Sequence, residues 1–155
     1  MDPLRRLLLR GSALPVLSPL LGTGLLTPVR VLAADWNRNA FNATTLTDAL
    51  KAYGTPAAPE TREIVINAPE VAENGAQVPI EISVNLPKVQ SIALFAEKNP
   101  LPLVASLELS PGVVPYWRLP VKLAETTRVR VVVRTENKTY SASREVKVTI
   151  GGCGN

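Results

Sequence analysis

The chain has no histidine and only one cysteine in 155 residues. Without histidine there is no Ser-His-Asp triad, no Cys-His dyad and no imidazole ligand for a metal. The single cysteine, Cys153, closes no disulfide within the chain; it is either a reactive thiol or half of an intermolecular bridge. Past the N-terminal region no apolar run reaches about 18 uninterrupted residues, so the mature chain is expected to cross no membrane. No catalytic residue, metal-ligand set or cofactor motif is assigned.

What is present is a foldable composition. Hydrophobic residues make up 46% and charged residues 19%, which places the chain among single globular domains and away from disordered or collagen-like sequences. The formal charge of +4 is unevenly placed. Residues 1–34 hold four basic groups (Arg5, Arg6, Arg10, Arg30) and one acid (Asp2), and subtracting them from 17 and 13 leaves 13 basic and 12 acidic residues, or +1. A near-neutral remainder has no broad electrostatic footprint for nucleic acid.

Residues 1–34 read as a cleaved export signal. Arg5-Arg6 opens a charged region, an apolar stretch broken by Gly11, Pro15, Pro19, Gly22 and Pro28 follows, and Val31-Leu32-Ala33-Ala34 supplies small residues for cleavage. The run Arg5-Arg6-Leu7-Leu8-Leu9-Arg10 resembles a twin-arginine signal, with a Sec-type signal as the alternative. The expected location is the periplasm.

Residues 35–60 are expected to form a helix and a linker. Leu46, Ala49, Leu50 and Tyr53 follow helical spacing, Thr45 with Asp48 suits an N-terminal cap, Gly54 before Pro56 suits a stop, and Pro56–Glu60 reads as linker. From there the period changes to two. Val78, Ile80, Ile82, Val84 and Leu86 alternate with more polar positions. So do Leu103, Ala105, Leu107 and Leu109; then Val129, Val131 and Val133, with Val132 as an exception; then Val146, Val148 and Ile150. Turn signals separate these runs at Glu73-Asn74-Gly75, Leu86-Pro87, Asn99-Pro100, Ser110-Pro111-Gly112 and Glu136-Asn137-Lys138. Six to eight short strands at this spacing predict a mainly β protein. The expected fold is an immunoglobulin-like antiparallel β-sandwich over residues 61–150, with Pro79 at an edge or a bulge.

The last strand, read as Arg144–Ile150, gives way abruptly to Gly151-Gly152-Cys153-Gly154-Asn155. Glycine loses the most backbone freedom on ordering, so residues 151–155 are expected to form a flexible arm whose thiol has no bulky neighbour. Cys153 lies three residues past Ile150, a reach of ~10 Å at ~3.3 Å per residue. A thiol exchanges reversibly with other sulfur species through disulfides and persulfides. No neighbour in the tail activates it, so it reads as a passive handle. The competing readings are an incidental cysteine or a disulfide-linked dimer through Cys153. A prenylation box is excluded, because its cysteine stands fourth from the end and Cys153 stands third.

The ending Val146-Lys147-Val148-Thr149-Ile150-Gly151-Gly152-Cys153-Gly154-Asn155 resembles that of the SoxY family, the sulfur-compound carriers of bacterial thiosulfate oxidation. Ala68–Pro79, Glu97-Lys98-Asn99-Pro100, Leu109-Ser110-Pro111-Gly112 and Tyr140-Ser141-Ala142 resemble further parts of that family. Asn155 departs from the family's usual terminal glycine. The resemblance implies a non-catalytic carrier with sulfur intermediates attached to Cys153 and Gly151, Gly152, Gly154 and Asn155 as the arm. It implies no cofactor, and a heterodimer with a SoxZ-like β-sandwich subunit. It implies visits to a SoxAX-like cytochrome, a SoxB-like hydrolase and, where present, a SoxCD-like dehydrogenase.

Two other features have two readings each. Arg128, Arg130, Arg134 and Arg144 form either an anion-attracting patch or the solvated face of a strand. Val114, Tyr116 and Trp117 belong either to a partner interface or to the core.

Overall fold

The computed structural model describes residues 36–150. The export signal expected in residues 1–34 and the arm expected in residues 151–155 lie outside the described residues. Eight strands form two sheets: β1 (Ile64–Asn67), β2 (Val71–Ala72), β3 (Val78–Val84), β4 (Val89–Ala96), β5 (Leu103–Glu108), β6 (Tyr116–Val121), β7 (Thr127–Thr135) and β8 (Thr139–Val148). One sheet has the order β1-β3-β6 and the other β2-β8-β7-β4-β5. Taken in chain order, these are the A-B-E and G-F-C-C′ groupings of an immunoglobulin-like sandwich. One departure from the expected all-antiparallel pattern is β2, which crosses from the first sheet to the second and pairs parallel to β8.

Between the sheets lies the core predicted by the alternating runs. Val78, Ile80, Ile82 and Val84 of β3 meet Ile92 and Leu94 of β4, Val129, Val131 and Val133 of β7, and Val146 of β8. Each fully buried Val, Leu or Ile contributes about 1.5–3 kcal/mol of transfer free energy. Pro79 sits on the central strand of its sheet rather than an edge, but the β1 register stops at Glu81, so no β1 residue faces it. β8 starts five residues before the predicted Arg144, at Thr139, and stops at Val148. Ile150, expected on the buried face, is 67% exposed.

A third layer covers the other face of the larger sheet. The helices α1 (Arg38–Phe41) and α2 (Leu46–Ala52) bring Ala40, Ala49 and Tyr53 onto Ala93, Phe95, Leu103 and Val132. Val132 breaks the polar alternation of β7 because it lies beneath these helices, 1% exposed. The same cover explains why β4 is buried without interruption from Ser91 to Ala96: both of its faces are dry. A register shift between Leu94 and Phe95 turns Leu103 to the helical side, whereas Ala105 and Leu107 stand opposite Leu94 and Ile92. The regular alternation read through Leu103–Leu109 fails there because one extra residue flips the face a side chain points to.

α2 is held at its start by Thr45, whose Oγ1 accepts from the Asp48 N–H at 3.1 Å. At its end Gly54 takes φ +81°, a left-handed conformation that glycine adopts without Cβ strain. The segment expected as a linker, Pro56–Glu60, is instead tied along β8. The Ser141 hydroxyl donates to the Ala58 carbonyl at 2.8 Å, and the Ser141 N–H donates to the Pro59 carbonyl at 2.8 Å. Among the described residues no helix is long and apolar enough to cross a membrane.

Candidate functional site

The chemistry expected at Cys153, with Gly151, Gly152, Gly154 and Asn155, lies outside the described residues. The described structure shows the place from which that segment departs. β7 begins at Thr127, opposite Val146, so the β7 ladder ends before it reaches Val148. The Thr126 side chain replaces it: its Oγ1 accepts from the Val148 N–H at 2.9 Å. On the other edge of β8 the Lys147 N–H donates to the Glu70 carbonyl at 3.0 Å and the Thr149 N–H to the Ala72 carbonyl at 3.1 Å. Beyond the strand, the Thr149 hydroxyl donates to the Glu73 carbonyl at 2.8 Å. The Gly75 N–H donates to the Ile150 carbonyl at 2.8 Å.

The loop that accepts these ties is itself anchored. The Leu123 N–H donates to the Gly75 carbonyl at 2.7 Å, and the Ala76 N–H donates to Asn74 Oδ1 at 2.8 Å. Asn99 joins the neighbouring loops, its Nδ2 donating to the Lys122 carbonyl at 2.8 Å and its Oδ1 accepting from the Ala124 N–H at 2.9 Å. Three loops, β2–β3, β4–β5 and β6–β7, thus form one hydrogen-bonded collar around the end of β8. Intramolecular hydrogen bonds contribute about 0.5–1.5 kcal/mol each, so the set holds the chain firmly as far as Ile150.

The opposite pole of the sandwich carries an apolar cavity of about 530 Å³, lined by Leu86, Val89, Leu109, Val113, Val114 and Pro115 among others. Lys88 and Glu136, which also line it, form an ion pair. The cavity and the end of β8 lie at the two ends of β7, whose length from Thr127 to Thr135 is about 26 Å at ~3.3 Å per residue. That is beyond the ~10 Å that three residues past Ile150 can span at full extension. Val114 and Tyr116 are exposed at this pole, whereas Trp117 packs against the core.

Three of the four arginines considered as an anion patch, Arg130, Arg134 and Arg144, have structural ties. Arg130 donates from Nε and Nη2 to Glu97 Oε1 at 3.1 and 3.0 Å, with both side chains 23% exposed. Arg134 donates to the Tyr53 carbonyl at 2.7 Å and stands over the Tyr53 ring, 5.1 Å from its centroid. Arg144 reaches the Ile66 carbonyl at 3.4 Å.

Hydrophobic periodicity does not reveal Thr126, Thr149 or Gly75, because each acts through a polar group outside the buried pattern. Hairpin register reveals one of them. Counting outward from Glu136-Asn137-Lys138 places Thr127 opposite Val146, so Thr126 falls beside the unpaired end of β8.

These features define a class: an immunoglobulin-like β-sandwich with a helical layer on one face and a last strand collared at its end. The family model described as "Sulfur oxidation protein SoxY" matches residues 49–153, a range that ends on Cys153. The sulfur carrier protein SoxY from Chlorobium limicola f thiosulfatophilum is 40% identical, with a TM-score of 0.59 over 66% of this chain and 96% of that one. A superoxide reductase (neelaredoxin) from Ignicoccus hospitalis is 20% identical, with a TM-score of 0.51 over 59% of this chain and 82% of that one, a likeness of fold alone. Comparison with curated protein sequences gave no match. The chain belongs to the SoxY family, and its role is that of a sulfur carrier in sulfur oxidation.

Proposed function

We propose that this protein is a periplasmic, non-catalytic carrier that holds thiosulfate-derived sulfur covalently on Cys153 and presents it to partner enzymes. The observation that carries this reading is the collar at Ile150: the fold is tied down to that carbonyl, and the only thiol of the chain follows three residues later between glycines. Membership of a sulfur-carrier family whose model runs through Cys153 supports the same reading.

The loading step joins the Cys153 sulfur to the outer sulfur of thiosulfate. The thiol proton is released, and two electrons pass to an oxidising cytochrome of the SoxAX kind. Water then cleaves the terminal sulfonate as sulfate in a SoxB-like hydrolase, leaving a persulfide on the cysteine. A SoxCD-like dehydrogenase, where present, oxidises the remaining sulfur. The arm, Gly151, Gly152, Gly154 and Asn155, contributes reach and a small cross-section. A SoxZ-like subunit forms a heterodimer with this chain. Export of the folded protein by the twin-arginine route, with residues 1–34 removed, precedes all of these steps.

Intact-mass spectrometry tests the reading. After exposure to thiosulfate and the oxidising system, wild-type protein should gain the mass of a thiosulfate group, lost on treatment with reductant, and Cys153→Ser protein should gain nothing. A chain that instead doubles in mass through a disulfide, with no sulfur adduct, is a dimerising interaction module and not a carrier.

A further inference from the structure

The turn that follows α2 buries a polar atom that its protein neighbours leave unsatisfied. Thr55 is 4% exposed, and its Oγ1 has no hydrogen-bond partner among the described residues. The backbone there is accounted for, since the Thr55 N–H donates to the Leu50 carbonyl at 2.8 Å. Burying a hydroxyl without a partner carries its full desolvation penalty, so such groups are nearly always satisfied by protein or by ordered water. Thr55 lines a pocket of about 70 Å³ together with Leu50, Ala58, Arg130, Val132 and Ser141. Its walls are therefore the end of α2, the start of the Pro56–Glu60 segment, β7 and β8.

Size and lining decide what the pocket takes. Its volume suits about two water molecules at ~30 Å³ each and falls well short of the ~300 Å³ at which small-molecule pockets begin. Thr55, Arg130 and Ser141 supply its polar side chains. The Ser141 hydroxyl gives its proton to the Ala58 carbonyl, which leaves its oxygen to accept. Arg130 donates from Nε and Nη2 to Glu97 Oε1, and the guanidinium has further N–H groups to donate. The Glu97 carboxylate offsets the guanidinium charge, so an anion gains little net attraction here. The set instead suits a small neutral molecule that both donates and accepts. We infer that the pocket is a binding site for ordered water, one molecule of which hydrogen-bonds to Thr55 Oγ1 and links the turn after α2 to the polar groups of β7 and β8. A bridging water is nearly as favourable in enthalpy as a direct hydrogen bond, so it joins the Pro56–Glu60 segment to the larger sheet at a point where no direct bond does. The site lies apart from the carrier chemistry and stands whether or not Cys153 bears sulfur.

The test compares wild-type protein with Thr55→Val, which keeps the branched shape and removes the hydroxyl, and Thr55→Ser, which keeps the hydroxyl. A high-resolution crystal structure of the wild type, grown without sulfate, should show a water oxygen within about 3.2 Å of Thr55 Oγ1. In solution, oxygen-17 relaxation dispersion should count one long-lived water fewer in Thr55→Val than in wild type, and the same number in Thr55→Ser. Urea unfolding should show the folding equilibrium constant of Thr55→Val lowered about fivefold, the equivalent of one lost hydrogen bond. A hydroxyl with no partner at all gives the opposite sign, because valine then relieves its desolvation penalty. A folding constant raised by valine, or a wild-type pocket without water density, would overturn the inference. So would a Thr55 N–H resonance that shifts and saturates with added sodium sulfate, which would make this an anion site. If Thr55→Val fails to fold, the wild-type density and the sulfate titration still decide.

Discussion

Replacing Phe95 by alanine tests whether the helical layer is packed on the larger sheet. Phe95 is fully buried between that sheet and α2, and its ring meets Tyr53 edge to face at 5.9 Å and 84°. Phe→Ala changes in cores cost about 3–5 kcal/mol, and the figure depends on how far the surroundings collapse into the space left behind. Collapse is restricted here. The Tyr53 hydroxyl is held by Ser91 at 3.3 Å and Ser106 at 3.1 Å, and Arg134 lies across the ring. The lost aromatic pair adds about 0.5–1.5 kcal/mol beyond area burial, which places the expected loss near about 4 kcal/mol, a large share of the 5–15 kcal/mol typical of a domain. With a urea slope of about 2 kcal/mol/M, the unfolding midpoint should fall by about 2 M. Val114→Ala, at a site 76% exposed, is the control, and it should stay within about 0.5 kcal/mol of wild type. A midpoint shift under about 0.5 M for Phe95→Ala would mean that the helices do not cover this face.

Three further outcomes follow from other parts of the molecule. Glu97→Gln leaves the half-buried Arg130 guanidinium without its counter-charge and should cost about 1–3 kcal/mol in chemical denaturation. Gly54→Ala should cost about 1 kcal/mol by the same measurement. The added Cβ would meet Arg134 Nη2 only at 3.6 Å, an ordinary contact, so the loss is backbone strain from φ +81°. Cys153→Ser should leave the melting temperature within a degree or so of wild type, because the core and the collar are both built from other residues.

The strand core was legible because Val78–Val84 and Val129–Val133 each present one buried face at a period of two. α2 was legible because its cap and its terminal glycine are local signals. β4 was harder to read, since a strand dry on both faces has no alternation, and Val132 is explained only once the helices are in place. α1 is a single turn, too short for periodicity, although the Asn37 side chain caps it at the Ala40 N–H. The arginines fit a solvated strand face by pattern alone, because partners such as Glu97 and the Tyr53 carbonyl come from distant parts of the chain. Pro56–Glu60 read as linker because its ties to Ser141 are made through its own backbone carbonyls, at Ala58 and Pro59, which composition does not encode. At the candidate site the division runs the other way: the thiol and its glycines stand out in the sequence, and the collar that fixes their starting point emerges only from the fold.

The most direct measurement is the mass of Cys153 in protein isolated from cells oxidising thiosulfate. A population bearing sulfur or thiosulfate on that one residue, removable by reductant, is the predicted result. A thiol that stays bare throughout sulfur oxidation would contradict the account.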